Sequence, residues 1–434
     1  MKEGARIAAA IELLTTLNEA WVKGERAPAD AVLAQYFRGR RYIGAKDRGA
    51  IAELVYYILR HGATLEWWLE KTHPKGGPRG IVILALVFFK QAHIGQFAEW
   101  FDGSDYCPAP LTEEERTMIA LYAGKELIHG NVPEPARLNY PDWMGGRLHD
   151  LFGEKLYLAM EAMNHEAPVD IRVNTLKASR QQVLDALAAE GFVVAATHYA
   201  PHGIRLTKRG ALFATQAFRD GWFEMQDEGS QLVASLVEAG AKQKVIDFCA
   251  GAGGKTLAIA ATMSNKGRIL AWDVSDARLS QLPKRLTRAG VDNVQARTLT
   301  SESDPFIKRH KESADWVLLD VPCTGTGTWR RNPDLKWRTE EKDLAEMTAI
   351  QQRILESAAR LVKPGGRLIY ATCSLFEEEN EGRIEAFLSA QGGFTIEPVT
   401  RPNIPMTAVS GGFLRLFPHQ HDTDGFFAAV LKKK

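Results

Sequence analysis

The amino-acid sequence predicts a multidomain chain, with an all-α bundle first, a small α+β unit next and an α/β domain last. Three observations carry this reading. Apolar residues recur at helical spacing from Ile7 to about Tyr140, and strand-like and helical runs mix between about Trp143 and Phe223. From Val245 onward, strands alternate with helices, the mark of a parallel doubly wound sheet. At 434 residues the chain is too long for one ordinary domain.

Taken in order, Ile7, Ile11, Leu14, Leu17 and Trp21 repeat at three to four residues, as do Ile51, Leu54, Val55 and Ile58. Such spacing puts one apolar stripe on each helix. Breakers cluster at Lys75-Gly76-Gly77-Pro78 and Pro108-Ala109-Pro110. The run Val132 to Pro141 reads as a linker, so the expected boundaries are 1–140, 141–235 and 236–434. The middle unit should hold linker helices, a strand Val169–Val173, a helix Gln181–Glu190 and the apolar run Phe192-Val193-Val194. The closing Lys432-Lys433-Lys434 reads as a solvated tail.

Composition narrows the class. Hydrophobic residues make up 45% and charged residues 25%, as in a soluble globular protein. The longest apolar run, Ile81 to Phe89, falls far short of the roughly 20 residues a membrane-spanning helix needs. The charged start, with Lys2, Glu3 and Arg6, does not read as a signal peptide. Cys107, Cys249, Cys323 and Cys373 show neither metal-ligand spacing nor a disulfide framework. A reduced, cytoplasmic chain is expected, monomeric, without metal or membrane partner. The net charge of +1 gives no global sign of nucleic acid, so any such role must rest on local patches.

The chemistry sits at strand ends. Val245-Ile246-Asp247-Phe248-Cys249 runs into Gly251-Ala252-Gly253-Gly254-Lys255, where glycines allow close approach of a ligand to the backbone. The next strand ends in Asp273, 22 positions after Gly251, where an acceptor for ribose hydroxyls belongs. Glycine turn and acid together fit a nicotinamide cofactor or S-adenosylmethionine, and do not choose between them. The cysteines do. Cys107 and Cys249 read as small buried apolar residues. Cys323 lies between Pro322 and the loop Thr324-Gly325-Thr326-Gly327, and Cys373 between Thr372 and Ser374, ahead of an acidic helix starting at Phe376. Carbon 5 of cytosine is a poor nucleophile until a thiolate adds to carbon 6 and makes it enamine-like. Thiols beside a sulfonium cofactor therefore point to carbon methylation of a pyrimidine.

The stretches Asp247 to Lys255, Asp320-Val321-Pro322-Cys323-Thr324-Gly325-Thr326-Gly327 and Ala371-Thr372-Cys373-Ser374 resemble the Nop/Sun family of RNA cytosine-C5 methyltransferases. So do Arg331-Asn332-Pro333-Asp334-Leu335-Lys336-Trp337, Leu361 to Gly366, Ile171 to Thr175 and Phe223 to Gln231. Ala45-Lys46-Asp47-Arg48 before Glu53-Leu54-Val55-Tyr56 resembles the NusB-type helical RNA-binding domain of the bacterial RsmB (Fmu) branch. The resemblance spans nearly the whole chain. It implies a NusB-like bundle, an RRM-like RNA-binding middle unit and a Rossmann-like domain that methylates RNA, with 16S rRNA favoured over tRNA.

Residue by residue, the resemblance makes Cys373 the nucleophile and Cys323 the residue that helps release product. Asp320 is shared between cofactor and base, and Lys255 reaches the base as well. Cys249, Ala250, Gly251, Ala252, Gly253, Gly254, Lys255, Asp273, Arg278, Thr298 and Asp320 resemble the S-adenosylmethionine contacts. Where the family carries an acid near the adenine, this chain reads Gln295-Ala296-Arg297-Thr298-Leu299, which leaves Thr298 or a neighbour to serve that edge by a neutral hydrogen bond. Trp329, Arg330, Arg331, Lys336, Trp337 and Arg338 read as an RNA surface, since bases stack on rings and phosphates pair with arginines. Arg38, Arg40, Arg41, Lys46 and Arg48 form a second basic patch. Two other classes compete: an inactive ribosome-assembly RNA-binding factor, against which the intact Cys323 and Cys373 argue, and a nicotinamide-dependent dehydrogenase, which has no use for the two thiols.

Overall fold

The computed structural model describes residues 1–208 and 210–434, which form two compact units. One comprises residues 1–165 with 331–340, the other 166–330 with 341–434.

Helices Glu3–Val22, Ala29–Gly39, Ala45–Arg60, Gly62–Thr72, Gly77–Phe89, Ile94–Trp100 and Glu113–Tyr122 build the first unit. Ile7, Leu14, Leu17, Ile51, Leu54, Val55 and Ile58 all lie in its core, as their spacing predicts. Gly77–Phe89 is buried from Val82 through Phe88, so it forms the centre of the bundle. Pro78 stands in its first turn, where a missing N–H costs no hydrogen bond.

The expected linker is not one. Glu134–Leu138 forms a short helix, and Leu138 and Tyr140 are buried. Asn139, in the left-handed region at φ 58°, exchanges hydrogen bonds with Thr64 at 3.2 and 2.9 Å. Helices Gly145–Phe152 and Leu156–Asn164 belong to the same compact unit, which extends to His165.

The second unit holds two sheets. Strands β1 (Val169–Val173), β2 (Val194–Ala196), β3 (Gly203–Leu206) and β4 (Phe223–Met225) pair antiparallel in the order β2-β3-β1-β4. Helix Arg180–Ala189 joins β1 to β2, and Val183 and Leu187 pack with Ile171, Ile204 and Phe223.

The larger sheet contains β5 (Lys244–Asp247), β6 (Arg268–Asp273), β7 (Val294–Thr298), β8 (Ala314–Asp320) and β9 (Val362–Thr372), all parallel. Alternate residues face opposite cores: Trp316, Leu318, Ile369 and Ala371 on one side, Val317, Leu319, Leu368 and Tyr370 on the other. β10 (Phe394–Ile396), β11 (Val409–Ser410), β12 (Phe413–Leu416) and β13 (Phe426–Lys433) add antiparallel pairs beyond β9. The sheet is therefore mixed. Its closing lysines are not a free tail: Lys432 pairs with Arg367 and Lys433 with Phe394 across the ladder.

From β5 the chain moves out through β6 and β7, then returns to β8 on the other side of β5. That switch leaves a crevice at the carboxyl ends of β5 and β8, where open α/β sheets bind ligands. No helix among the described residues is long and apolar enough to cross a membrane.

Candidate active site

At the end of β5 the chain turns through Gly251 (φ 53°) and Gly253 (φ 85°) into the helix Gly254–Thr262. A Cβ on Gly253 would lie 2.2 Å from Leu282 Cδ1, so this position needs glycine. A Cβ on Gly251 would meet nothing within 4 Å, which leaves the backbone open to a ligand. Asp273, buried at the end of β6, accepts from Gly251 N and Ser275 N at 2.8 and 2.7 Å. Arg278 also donates to it at 3.3 Å, with its side chain largely exposed.

Asp247 is buried, and its Oδ2 accepts from Thr256 Oγ1 at 2.6 Å. Its Oδ1 has no hydrogen-bond partner among the described residues. Burial, reinforced by Asp320 and Asp273, pushes this carboxyl up to about 7. An open glycine cradle, an acceptor acid at the next strand and an orphaned carboxylate oxygen suit a ligand with ribose hydroxyls and an amino group. The residues thus fit S-adenosylmethionine.

Lys255 Nζ lies 2.6 Å from Asp320 Oδ2 at the end of β8. Burial opposes its charge, but Asp320 outweighs it and holds the ammonium above its ordinary value. The thiols come next. Asp320 pairs with Ala371 across β8 and β9, so the loops beyond these partners bring Cys323 Sγ within 3.4 Å of Cys373 Sγ. The hydrogen bond to Cys373, together with burial, pushes the Cys323 thiol well above its ordinary value. Both remain free thiols. Burial and the nearby carboxylates also raise Cys249. Cys249 and Cys107 are each partly exposed, not fully buried as their composition suggests.

Thr298 is on the exposed end of β7, where its hydroxyl donates to Asp276 Oδ1 at 2.9 Å. An acid from the turn after β6 thus stands beside the residue expected to act as a neutral donor.

The expected RNA cluster breaks up, and several of its members are corrected. Lys336 is fully buried and donates to Asn164 Oδ1, within the first unit. Trp337, half-buried there, donates through Nε1 to Leu59 O at 2.6 Å. Arg338 pairs with Asp334 at 2.8 Å. Trp329 is fully buried in the second unit, so no base can stack on it, and Arg330 is buried against Asp422 at 2.9 Å. Arg331 is partly exposed. In the N-terminal patch Arg38, Arg41 and Lys46 are exposed, while Arg40 pairs with Glu12 and Arg48 donates to Ile43 O at 2.8 Å.

Two residues that hold the glycine turn escape a sequence reading. Arg285 Nη1 donates to Ala252 O at 2.7 Å and pairs with Glu224 at 2.9 Å. Arg172, buried on β1, donates to Gln226 at 2.6 Å and lies 3.5 Å from Gly254 O. Both Arg172 and Glu224 stand in the motif stretches at Ile171 to Thr175 and Phe223 to Gln231, but spacing alone gave them no task.

The family model of the 16S rRNA methyltransferase RsmB/F matches residues 234–432, and a ferredoxin-like domain model of RsmF/B-like methyltransferases matches 140–212. The chain is 33% identical over 411 residues to the probable ribosomal RNA small subunit methyltransferase B of Synechocystis sp., covering 89% of this chain and 91% of that protein. With the probable enzyme of the same name from Bacillus subtilis it shares 29% identity, over 90% of this chain and 91% of the relative. Among solved structures, PH0851 aligns over 99% of both chains with a TM-score of 0.79 at 28% identity. NSun6 from Pyrococcus horikoshii, solved with SFG, aligns over 68% of this chain and 98% of its own, with a TM-score of 0.60 at 25% identity.

Proposed function

Because the chain belongs to the RsmB/F family of 16S rRNA methyltransferases, we propose that it methylates carbon 5 of a cytosine in 16S rRNA through a cysteine adduct at carbon 6. The observation that carries this reading is the pair of thiols 3.4 Å apart beside the Lys255–Asp320 ion pair. One thiol would suffice for an adduct. Two, at the ends of adjacent strands, suit an adduct that must form and then break.

S-adenosylmethionine, when bound, supplies an electrophilic methyl group. Gly251, Asp273 and Asp247 would hold it, with Arg278, Thr298 and Asp276 at the rim. Burial and the hydrogen bond to Cys373 oppose ionisation of Cys323 in the resting site, which leaves Cys373 as the nucleophile for carbon 6. Lys255 places a fixed positive charge, and Asp320 an acceptor, where the base must sit. Oriented charges of this kind stabilise charge that develops on the ring. Once carbon 5 is methylated, its proton passes to a base, the electron pair of that bond restores the double bond between carbons 5 and 6, and the Cys373 thiolate leaves. Cys323, the nearest group to that sulfur, takes the proton as a thiolate after ceding its own to solvent. The helical unit, read as NusB-like, would bind RNA through exposed Arg38, Arg41 and Lys46.

The test is methylation of unmodified 16S rRNA by the purified protein with labelled S-adenosylmethionine, mapped by bisulfite sequencing, with a tRNA pool as a second arm. A single protected cytosine in the 16S rRNA is expected. Label recovered only in tRNA, or at an atom other than carbon 5, would overturn the assignment.

A further inference from the structure

The two thiol loops share one anchor that touches neither sulfur. Glu379 is fully buried in the turn Glu377–Glu379, shortly after Cys373. Its Oε1 accepts from Thr324 N and Gln351 Nε2, both at 2.9 Å. Its Oε2 accepts from Thr324 Oγ1 at 2.5 Å and from Ser374 Oγ. Thr324 follows Cys323 and Ser374 follows Cys373, so one carboxylate grips the residue after each thiol. Gln351 Nε2 also donates to Pro322 O at 2.9 Å, on the near side of Cys323. Two more ties join the loops: Leu375 N to Thr326 Oγ1 and Gly327 N to Cys373 O, both 2.8 Å.

A buried carboxylate is costly to desolvate, and a neutral side chain of the same shape would fill the space. Two N–H donors and two hydroxyls face this one: burial holds the carboxyl above its ordinary value, and these four hydrogen bonds oppose that rise by favouring the anion. Its charge lies near enough to Cys323 to oppose ionisation of that thiol.

We propose that Glu379 is a positioning residue, whose carboxylate clamps the Cys323 and Cys373 loops together and fixes the separation of the two thiols. Its charge, behind the larger effects of the Cys373 hydrogen bond and burial, also opposes ionisation of Cys323. The inference rests on the adduct chemistry proposed above for its purpose, but its geometry does not.

The test compares Glu379→Gln and Glu379→Asp with wild type. Gln retains the shape without the charge, whereas Asp retains the charge but is too short to hold both loops. Alkylation of Cys323 and Cys373 by iodoacetamide is followed across pH by mass spectrometry, with no RNA or cofactor present. S-adenosylmethionine affinity is measured by calorimetry, and kcat and KM on 16S rRNA separately. In Glu379→Gln the Cys323 midpoint should fall, since one of the charges opposing its ionisation is gone. Both variants should lose about 10- to 100-fold in kcat at unchanged KM and cofactor affinity, as expected for thiols out of register. An unmoved midpoint with wild-type kcat in both variants would overturn the proposal. A wild type that fails to methylate RNA, with the midpoint still shifting in Glu379→Gln, would sink the proposed function and leave the clamp standing.

Discussion

At the two sulfur atoms, substitution should have opposite consequences. Cys373→Ala removes the nucleophile, so turnover and covalent capture of RNA should both vanish. Cys323→Ala leaves the adduct able to form but slow to break, so a protein–RNA species should accumulate on denaturing gels. The reverse pattern would exchange their roles. Asp273→Ala should weaken S-adenosylmethionine binding about ten- to hundredfold, since a hydrogen bond to a charged group contributes roughly 1.5–3 kcal/mol. It also frees Gly251 N and Ser275 N, so calorimetry should be run beside a thermal melt. Asp247 gives a pH signature. Its folded value of about 7 lies above the ordinary 3.8, so the folded chain binds a proton that the unfolded chain releases. The contribution is complete below about pH 4 and lost as pH rises through 7. Asp247→Asn, neutral at every pH, should therefore gain roughly 3 kcal/mol on wild type as pH rises from about 5 to about 8.5. Denaturant titration at both values measures it, and a constant difference would refute the shift.

At the scale of elements, the glycine turn and the segment 331–340 behave differently from what their sequences suggest. Gly253 combines a left-handed φ of 85° with a Cβ position 2.2 Å from Leu282 Cδ1, at the start of the helix Leu282–Ala289. Gly253→Ala should cost about 1–3 kcal/mol in stability and distort the cofactor turn. Lys336 was expected to bind RNA by virtue of its charge and its neighbours, yet it is sealed in the helical unit against Asn164. Lys336→Met should lower stability by about 1–3 kcal/mol, because Asn164 Oδ1 loses its donor. It should leave the salt dependence of RNA binding unchanged. A flattened salt slope with normal stability would return Lys336 to the RNA surface.

For the whole molecule, the question is which surface meets the phosphates. The chain has almost no net charge, so RNA affinity must come from patches such as Arg38, Arg41 and Lys46, all exposed. Neutralising these three should weaken rRNA binding and reduce its log–log salt slope by about 2–3, since each lost phosphate contact releases fewer counterions. S-adenosylmethionine affinity should not change. Identical slopes across a salt series would make the helical unit a packing or protein-binding domain.

The sequence by itself determined the helical character of the first unit, the strand ends that carry Asp247, Asp273, Asp320, Cys323 and Cys373, and the chemistry those residues suit. These are local properties: apolar period sets the element, and a strand that ends at a glycine or a thiol places it at the sheet's edge. Tertiary structure decided the rest. The Pro-rich run Val132 to Pro141 looks like a linker until Asn139 finds Thr64, 75 positions away. The closing lysines look like a tail until β13 pairs with β9. Arg172 and Arg285 hold the glycine turn, and Glu379 ties two loops 50 residues apart, through hydrogen bonds with no spacing rule behind them. A charge written in the sequence says nothing of whether water or a partner will satisfy it, and burial makes that choice only after the chain has folded.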